Sequence, residues 1–171
     1  IKILFVEANP PDSPYIRTTP ELRDLHAALK AARFGDDFTV IPLLAARGGD
    51  LLPALSEHQP HILHFAAHGD GDGLRLNRAD DAESETLRAE TLAAIVVTHQ
   101  DATLQRLHLV VLAGCDTAVM AETLAATVDA AVGMAGEIDD PLVQQVITPL
   151  LYRRLADGAT SVVYTTAPIT T

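Results

Sequence analysis

Tryptophan is absent from the 171 residues, and cysteine occurs once, as Cys115. A single thiol closes no internal disulfide. A disulfide-stapled scaffold is therefore excluded, and so is a zinc site built on three or four cysteines. Positive charge is scarce: 12 Lys and Arg stand against 23 Asp and Glu, a formal charge of −11 at pH 7. Phosphate backbones and anionic lipid surfaces both attract basic footprints, so neither nucleic acid nor membrane is expected as a partner. No apolar run approaches the roughly 18 residues that span a bilayer, and no secretory signal precedes the first strand. What is plentiful is ordinary: 48% of the residues are hydrophobic. That fraction, at this length, suits one domain with a sizeable core, and the chain reads as a single domain over residues 1–171. It starts at Ile1 without a methionine, and is expected to be a piece of a larger multidomain protein.

Short β-branched apolar runs alternate with amphipathic stretches. Ile1–Ala8, Phe38–Ala46, His61–Ala67, Leu107–Ala113, Ala130–Ala135 and Ser161–Thr165 read as strands. Pro42 makes the second an edge strand or a bulged one. Thr19 is expected to cap a first helix, with Pro20 at its first position, and Asp50 a second helix ending at Pro60. Leu74 and Leu76 suggest a small hairpin, and Leu87–Val97 and Ala118–Val128 suggest helices. Asp140–Leu155 reads as a further helix, capped by Asp140 before Pro141. Alternating strands and helices with continuously apolar strands imply an α/β three-layer sandwich: a mostly parallel central sheet of about six strands, covered on both faces.

Ligands of such sheets sit at the carboxyl ends of the strands. Two strands deliver reactive residues there, one ending in His68-Gly69 and another in Gly114-Cys115-Asp116-Thr117. A cysteine peptidase needs a thiolate, a group that takes and returns its proton, and donors for the developing oxyanion. His68 suits proton transfer near neutrality. Gly69, without a Cβ, lets its N–H approach a substrate. The N–H of Cys115, expected at a helix N-terminus, is the second donor, and the same helix end would favour the thiolate.

The segments Ile62-Leu63-His64-Phe65-Ala66-Ala67-His68-Gly69 and Leu109-Val110-Val111-Leu112-Ala113-Gly114-Cys115-Asp116-Thr117 resemble the caspase-like peptidases of the caspase–hemoglobinase fold, clan CD, and among them the bacterial CHAT domains. Val132-Gly133-Met134, the later Asp140-Pro141 and the segment Leu150–Gly158 extend the resemblance along nearly the whole chain. Cys115 follows His68 by 47 residues, near the roughly 50 that separate the caspase pair. There are departures. Ala113-Gly114 stands where many CHAT domains carry Asn-Ala, and neither the Gln-Ala-Cys-Arg-Gly pattern of caspases nor the Asp-Cys of metacaspases occurs.

The resemblance implies a cysteine endopeptidase with His68 as general acid/base and Cys115 as nucleophile, and with Gly69 and Cys115 as oxyanion donors. It also implies cleavage after one preferred residue of a protein or peptide substrate, control by a fused sensor domain or an activator protein, and a cytoplasmic setting in bacterial immunity or programmed death. The net charge, with Asp116, Glu137 and Asp139 near the active edge, favours a basic residue before the cleaved bond.

No cofactor or metal is expected. His64 and His68 have the spacing of a zinc helix, but on a strand they lie about 13 Å apart, too far for one ion. The other histidines (His26, His58, His61, His99 and His108) read as structural or solvent-facing. Gly69–Gly73 reads as a flexible loop beside the site, since it lacks the lysine and following helix of a phosphate loop. Asp80, Asp81, Glu83 and Glu85 read as solvated surface. A catalytically silent scaffold of the same fold is the alternative. A receiver-like domain is disfavoured because Ala67-His68 stands where its phosphorylated Asp would be.

Overall fold

Side chains alternate across a strand, so strands that are apolar at every position need cover on both faces. The computed structural model describes residues 1–78, 83–137 and 148–158. In chain order its elements are β1 (Lys2–Glu7), α1 (Thr18–Lys30), β2 (Thr39–Leu43), α2 (Gly48–His58), β3 (Ile62–Ala66), β4 (Leu74–Asn77), β5 (Ser84–Leu87), α3 (Ala89–Thr103), β6 (Leu109–Ala113), α4 (Ala118–Leu124), β7 (Ala130–Val132) and α5 (Thr148–Ala156). Five strands form a sheet in the order β2-β1-β3-β6-β7, every pairing parallel. β4 and β5 form a separate antiparallel hairpin.

The alternation divides the core in two. Leu4, Val6, Leu63, Phe65, Val110 and Leu112 join Leu51 and Leu55 of α2, Leu92 and Val96 of α3, and Met120 and Leu124 of α4. On the other face Ile3, Phe5, Ile62 and Ala66 meet Leu25 and Leu29 of α1 and Tyr152 and Ala156 of α5. The architecture is the expected three-layer α/β sandwich, with five parallel strands among the described residues. The expected strand Ser161–Thr165 and the cap Asp140-Pro141 lie outside them.

Pro42 sits in the edge strand β2. Thr39 N–H donates to the Ile1 carbonyl, so by alternation the nitrogen of Pro42 faces away from β1, where no ladder bond is lost. Chain order reverses at β1: β2 lies on one side of it and β3 on the other. Connections leaving a sheet on opposite sides of such a switch open a crevice above the strand ends.

Two helix starts differ from the sequence expectation. α1 begins at Thr18, after Arg17, and no side chain caps it. The Thr18 hydroxyl instead donates to Glu7 Oε1 at 3.0 Å. Thr19 is thus inside the helix, and Pro20 still falls in the first turn, where its missing N–H removes no helical bond. α2 begins at Gly48, not after Asp50, and the Asp50 carboxylate reaches back to the Arg47 N–H at 3.0 Å. Glu85, expected in solvent, is partly buried and accepts the Gly48 N–H.

Candidate active site

His68 follows the end of β3 by two residues and is half-buried. Its Nε2 lies 2.5 Å from the Pro14 carbonyl oxygen. A carbonyl only accepts, so Nε2 carries the proton and Nδ1 is left as the basic nitrogen. Pro14 is presented by the β1–α1 loop, which Asn9 folds. The Asn9 Oδ1 accepts the Ile16 N–H at 2.9 Å, and its Nδ2 donates to the Ile16 carbonyl at 2.9 Å. Asp12 ties the same loop to β5 by accepting from both the N–H and the hydroxyl of Ser84, each at 2.9 Å. Those bonds hold the Asp12 carboxyl below the usual carboxylate range, the Ser84 N–H foremost.

After His68 the chain turns back at once. Gly69 bridges Leu74, Arg75 N–H donates to the His68 carbonyl at 2.8 Å, and Asp70 N–H donates to the Gly73 carbonyl at 3.3 Å. The Arg75 guanidinium pairs with Asp70. The segment expected as a flexible loop is thus a turn closed by backbone bonds and an ion pair. In this arrangement Gly69 and Leu74 are a non-hydrogen-bonded antiparallel pair, so the Gly69 N–H points away from Leu74.

Cys115 follows the end of β6 by two residues, is half-buried and forms no disulfide. The two strand ends touch. A Cβ on Gly69 would overlap the Cys115 carbonyl oxygen, and one on Gly114 would stand 2.5 Å from the Ala67 carbonyl oxygen and 3.1 Å from the Gly69 nitrogen. Both glycines are required by this close approach. Beyond the thiol, Asp116 takes a left-handed conformation (φ +53°), and its N–H donates to the Gly136 carbonyl at 3.2 Å. The buried Thr117 hydroxyl lies 3.1 Å from the Leu112 carbonyl and 2.9 Å from that of Gly114, and accepts the Met134 N–H at 3.0 Å. That hydroxyl fixes the cysteine loop to the exit of β7. α4 starts only at Ala118 and has seven residues. Its N-terminus lies beyond Cys115, which the sequence placed at the helix start.

The acidic residues expected near the active edge separate. Asp116 lines a cavity of about 160 Å³ together with Asp72, Glu90, Arg88 and Met120. Glu137 is exposed beyond Gly136 and is not part of that lining. Asp139 lies outside the described residues.

Residues 7–169 match the CHAT domain family. The chain belongs to that family. CHAT domains are caspase-like, peptidase-type domains, and the match spans both strand ends described above. No curated protein matches this CHAT domain. Among solved structures it is similar to an NAD(P)H:quinone oxidoreductase from Methanothermobacter marburgensis. The two are 12% identical, with 96% of this chain and 98% of that one covered and a TM-score of 0.48.

Among the described residues no group of three or more His, Cys, Asp or Glu side chains could hold a metal ion. No helix among them is long and apolar enough to cross a membrane. Of the remaining histidines of this CHAT domain, His26 is exposed, His58 half-buried and His99 buried. His108 Nδ1 lies 2.6 Å from Asp129, and its ring stacks on that of His61, centroids 6.1 Å apart. Burial, then the neighbouring positive N-terminus, lowers the His61 pKa from its ordinary value.

His64 is fully buried, its ring stacked on Phe5 with centroids 4.9 Å apart. The Tyr152 hydroxyl lies 3.0 Å from His64 Nδ1, and His64 Nε2 lies 3.0 Å from Glu21 Oε1. The Thr148 hydroxyl donates to the same Glu21 oxygen at 2.8 Å. With the tyrosine donating to Nδ1 and Nε2–H donating to the carboxylate, each ring nitrogen has its partner. Burial, and then the nearby Glu21 charge, raises the Tyr152 pKa well above its ordinary value. Sequence reading passed over Pro14, because a backbone carbonyl leaves no mark in residue type. It also passed over Glu21 and Tyr152, which lie 43 and 88 residues from His64.

Proposed function

We propose that this CHAT domain is a cysteine endopeptidase working through His68 and Cys115. The observation that carries the reading is the contact of Gly69 with the backbone of Cys115, which brings the histidine and cysteine strand ends together. His68 Nδ1 takes the thiol proton, and the thiolate adds to the scissile carbonyl carbon. The oxyanion is held by the N–H groups of Gly69 and Cys115. On collapse the C–N bond breaks, His68 returns the proton to the leaving amine, and a thioester remains. Water, deprotonated by the same imidazole, adds to the thioester, and the thiolate leaves to regenerate the enzyme. Pro14 keeps the imidazole in the tautomer this cycle needs.

The substrate is a protein or peptide with a basic residue before the cleaved bond. Asp116 is the nearest acid in sequence to the nucleophile, with Glu137 and Asp139 as further candidates. A fused sensor domain or an activator protein switches the peptidase on, in a bacterial immune or programmed-death setting.

The test is cleavage of a peptide library by the wild type and two variants. Cys115→Ala and His68→Ala should each lower kcat/KM by three orders of magnitude or more, on the order expected for loss of a nucleophile or its base. Alkylation of Cys115 against pH should show a midpoint below the free-thiol value of about 8.5. Cleavage after Asp and none after Arg or Lys would overturn the basic preference. A wild type silent with every activator, and a Cys115 that a thiol-directed peptide probe never labels, would favour a catalytically silent scaffold.

A further inference from the structure

A buried polar chain lies beneath the site, and the chemistry above does not use it. Glu21, His64, Tyr152 and Thr148 meet inside the apolar layer between the sheet and its cover of α1 and α5. Stability alone does not explain them, since apolar residues of like volume often replace a buried ionic or polar cluster without loss. What hydrogen bonds add over apolar packing is direction: they hold elements in one mutual placement.

The elements held here are the ones that place His68. His64 sits in β3, whose chain reaches His68 four residues later. Glu21 sits in the first turn of α1, seven residues after Pro14, whose carbonyl accepts the His68 Nε2–H. Both partners of the His68–Pro14 bond therefore extend from this network, one from each side. Tyr152 and Thr148 bring in α5 as a third element.

We propose that Glu21, His64, Tyr152 and Thr148 are positioning residues for His68, setting the geometry of its bond to Pro14 and tying that geometry to the placement of α5. The proposal deepens the peptidase reading and rests on it for its catalytic meaning.

The test uses the full chain labelled with ¹⁵N-histidine. The His68 Nε2–H resonance is assigned by its loss in His68→Ala. Tyr152→Phe removes the hydroxyl bonded to His64, and Glu21→Met removes the carboxylate oxygen that accepts from His64 and Thr148, each with little change in side-chain shape. Val96→Ala, in the opposite half of the core, controls for general destabilisation. In the two network variants the His68 Nε2–H should shift and exchange with water about tenfold faster, and alkylation of Cys115 at neutral pH should slow. Val96→Ala, at a comparable drop in Tm, should leave both unchanged.

A His68 signal untouched in both network variants would overturn the proposal, as would the same change in Val96→Ala. Thr148→Val, which deletes a single hydroxyl, replaces either network variant that does not fold. A wild-type Cys115 that reacts as a free thiol, indifferent to His68→Ala, would sink the dyad reading. The ring measurement on His68 would still decide whether the network positions it.

Discussion

His99 is an exception to the rule that buried polar atoms find partners. It is fully buried on α3, and both ring nitrogens lack a hydrogen bond within the described structure. Burial disfavours the imidazolium and lowers the His99 pKa below its ordinary value of 6.5. The sign follows: as pH falls through 6.5 the unfolded chain takes up a proton that the folded chain refuses, so stability drops. Above 6.5 both states are neutral and the penalty vanishes. His99→Leu should flatten this acid limb. It should also stabilise the fold at pH 7.5, by up to the roughly 1–3 kcal/mol of an unsatisfied buried polar group. Urea unfolding at pH 7.5 and 5.5, wild type against variant, measures both effects. An equal difference at the two pH values would sink the titration argument. The sequence showed His99 only as one of several scattered histidines, because its lack of partners is a property of packing. His68 and Cys115 could be singled out because each stands beside a glycine at a strand end, although what requires those glycines is the backbone of the other strand end.

Among the elements, β1, β3 and β6 were readable because a strand buried on both faces leaves an unbroken apolar run. The starts of α1 and α2 were not, and the reason is spatial. The Thr18 hydroxyl is engaged by Glu7, 11 residues earlier, and the first free N–H of α2 is met by Glu85, 37 residues later. Local capping rules have no access to either partner. The second contact yields a double-mutant cycle. A Cβ on Gly48 would stand 2.9 Å from Glu85 Oε1, so Gly48→Ala displaces the carboxylate and weakens the cap. Glu85→Ala alone loses the cap, at a cost of about 0.5–2 kcal/mol. In the Glu85→Ala background Gly48→Ala should become stabilising by about 0.5–1 kcal/mol, the usual gain of Ala over Gly in a helix. Additive effects in urea denaturation would show that the two residues do not interact.

Taken whole, the molecule carries a charge of −11, and a field of that size acts on substrates before they dock. For peptides with Lys or Arg before the cleaved bond, kcat/KM should fall several-fold between about 50 and 300 mM salt as the Debye length shrinks. For otherwise identical peptides with Asp there, any residual rate should rise. Equal salt dependence for the two series would remove long-range attraction as a source of preference. The layered α/β plan followed from alternation alone, but the reversal of strand order at β1 did not, since strand order is written in long-range pairings. The outward-facing nitrogen of Pro42 has a consequence at this level. A second chain laid along β2 would seek a row of donors and find one missing at residue 42, between Val40 and the strand end. Self-association by sheet continuation is thus interrupted on that side, and copies of the molecule brought close together there lack the template on which a fibril grows.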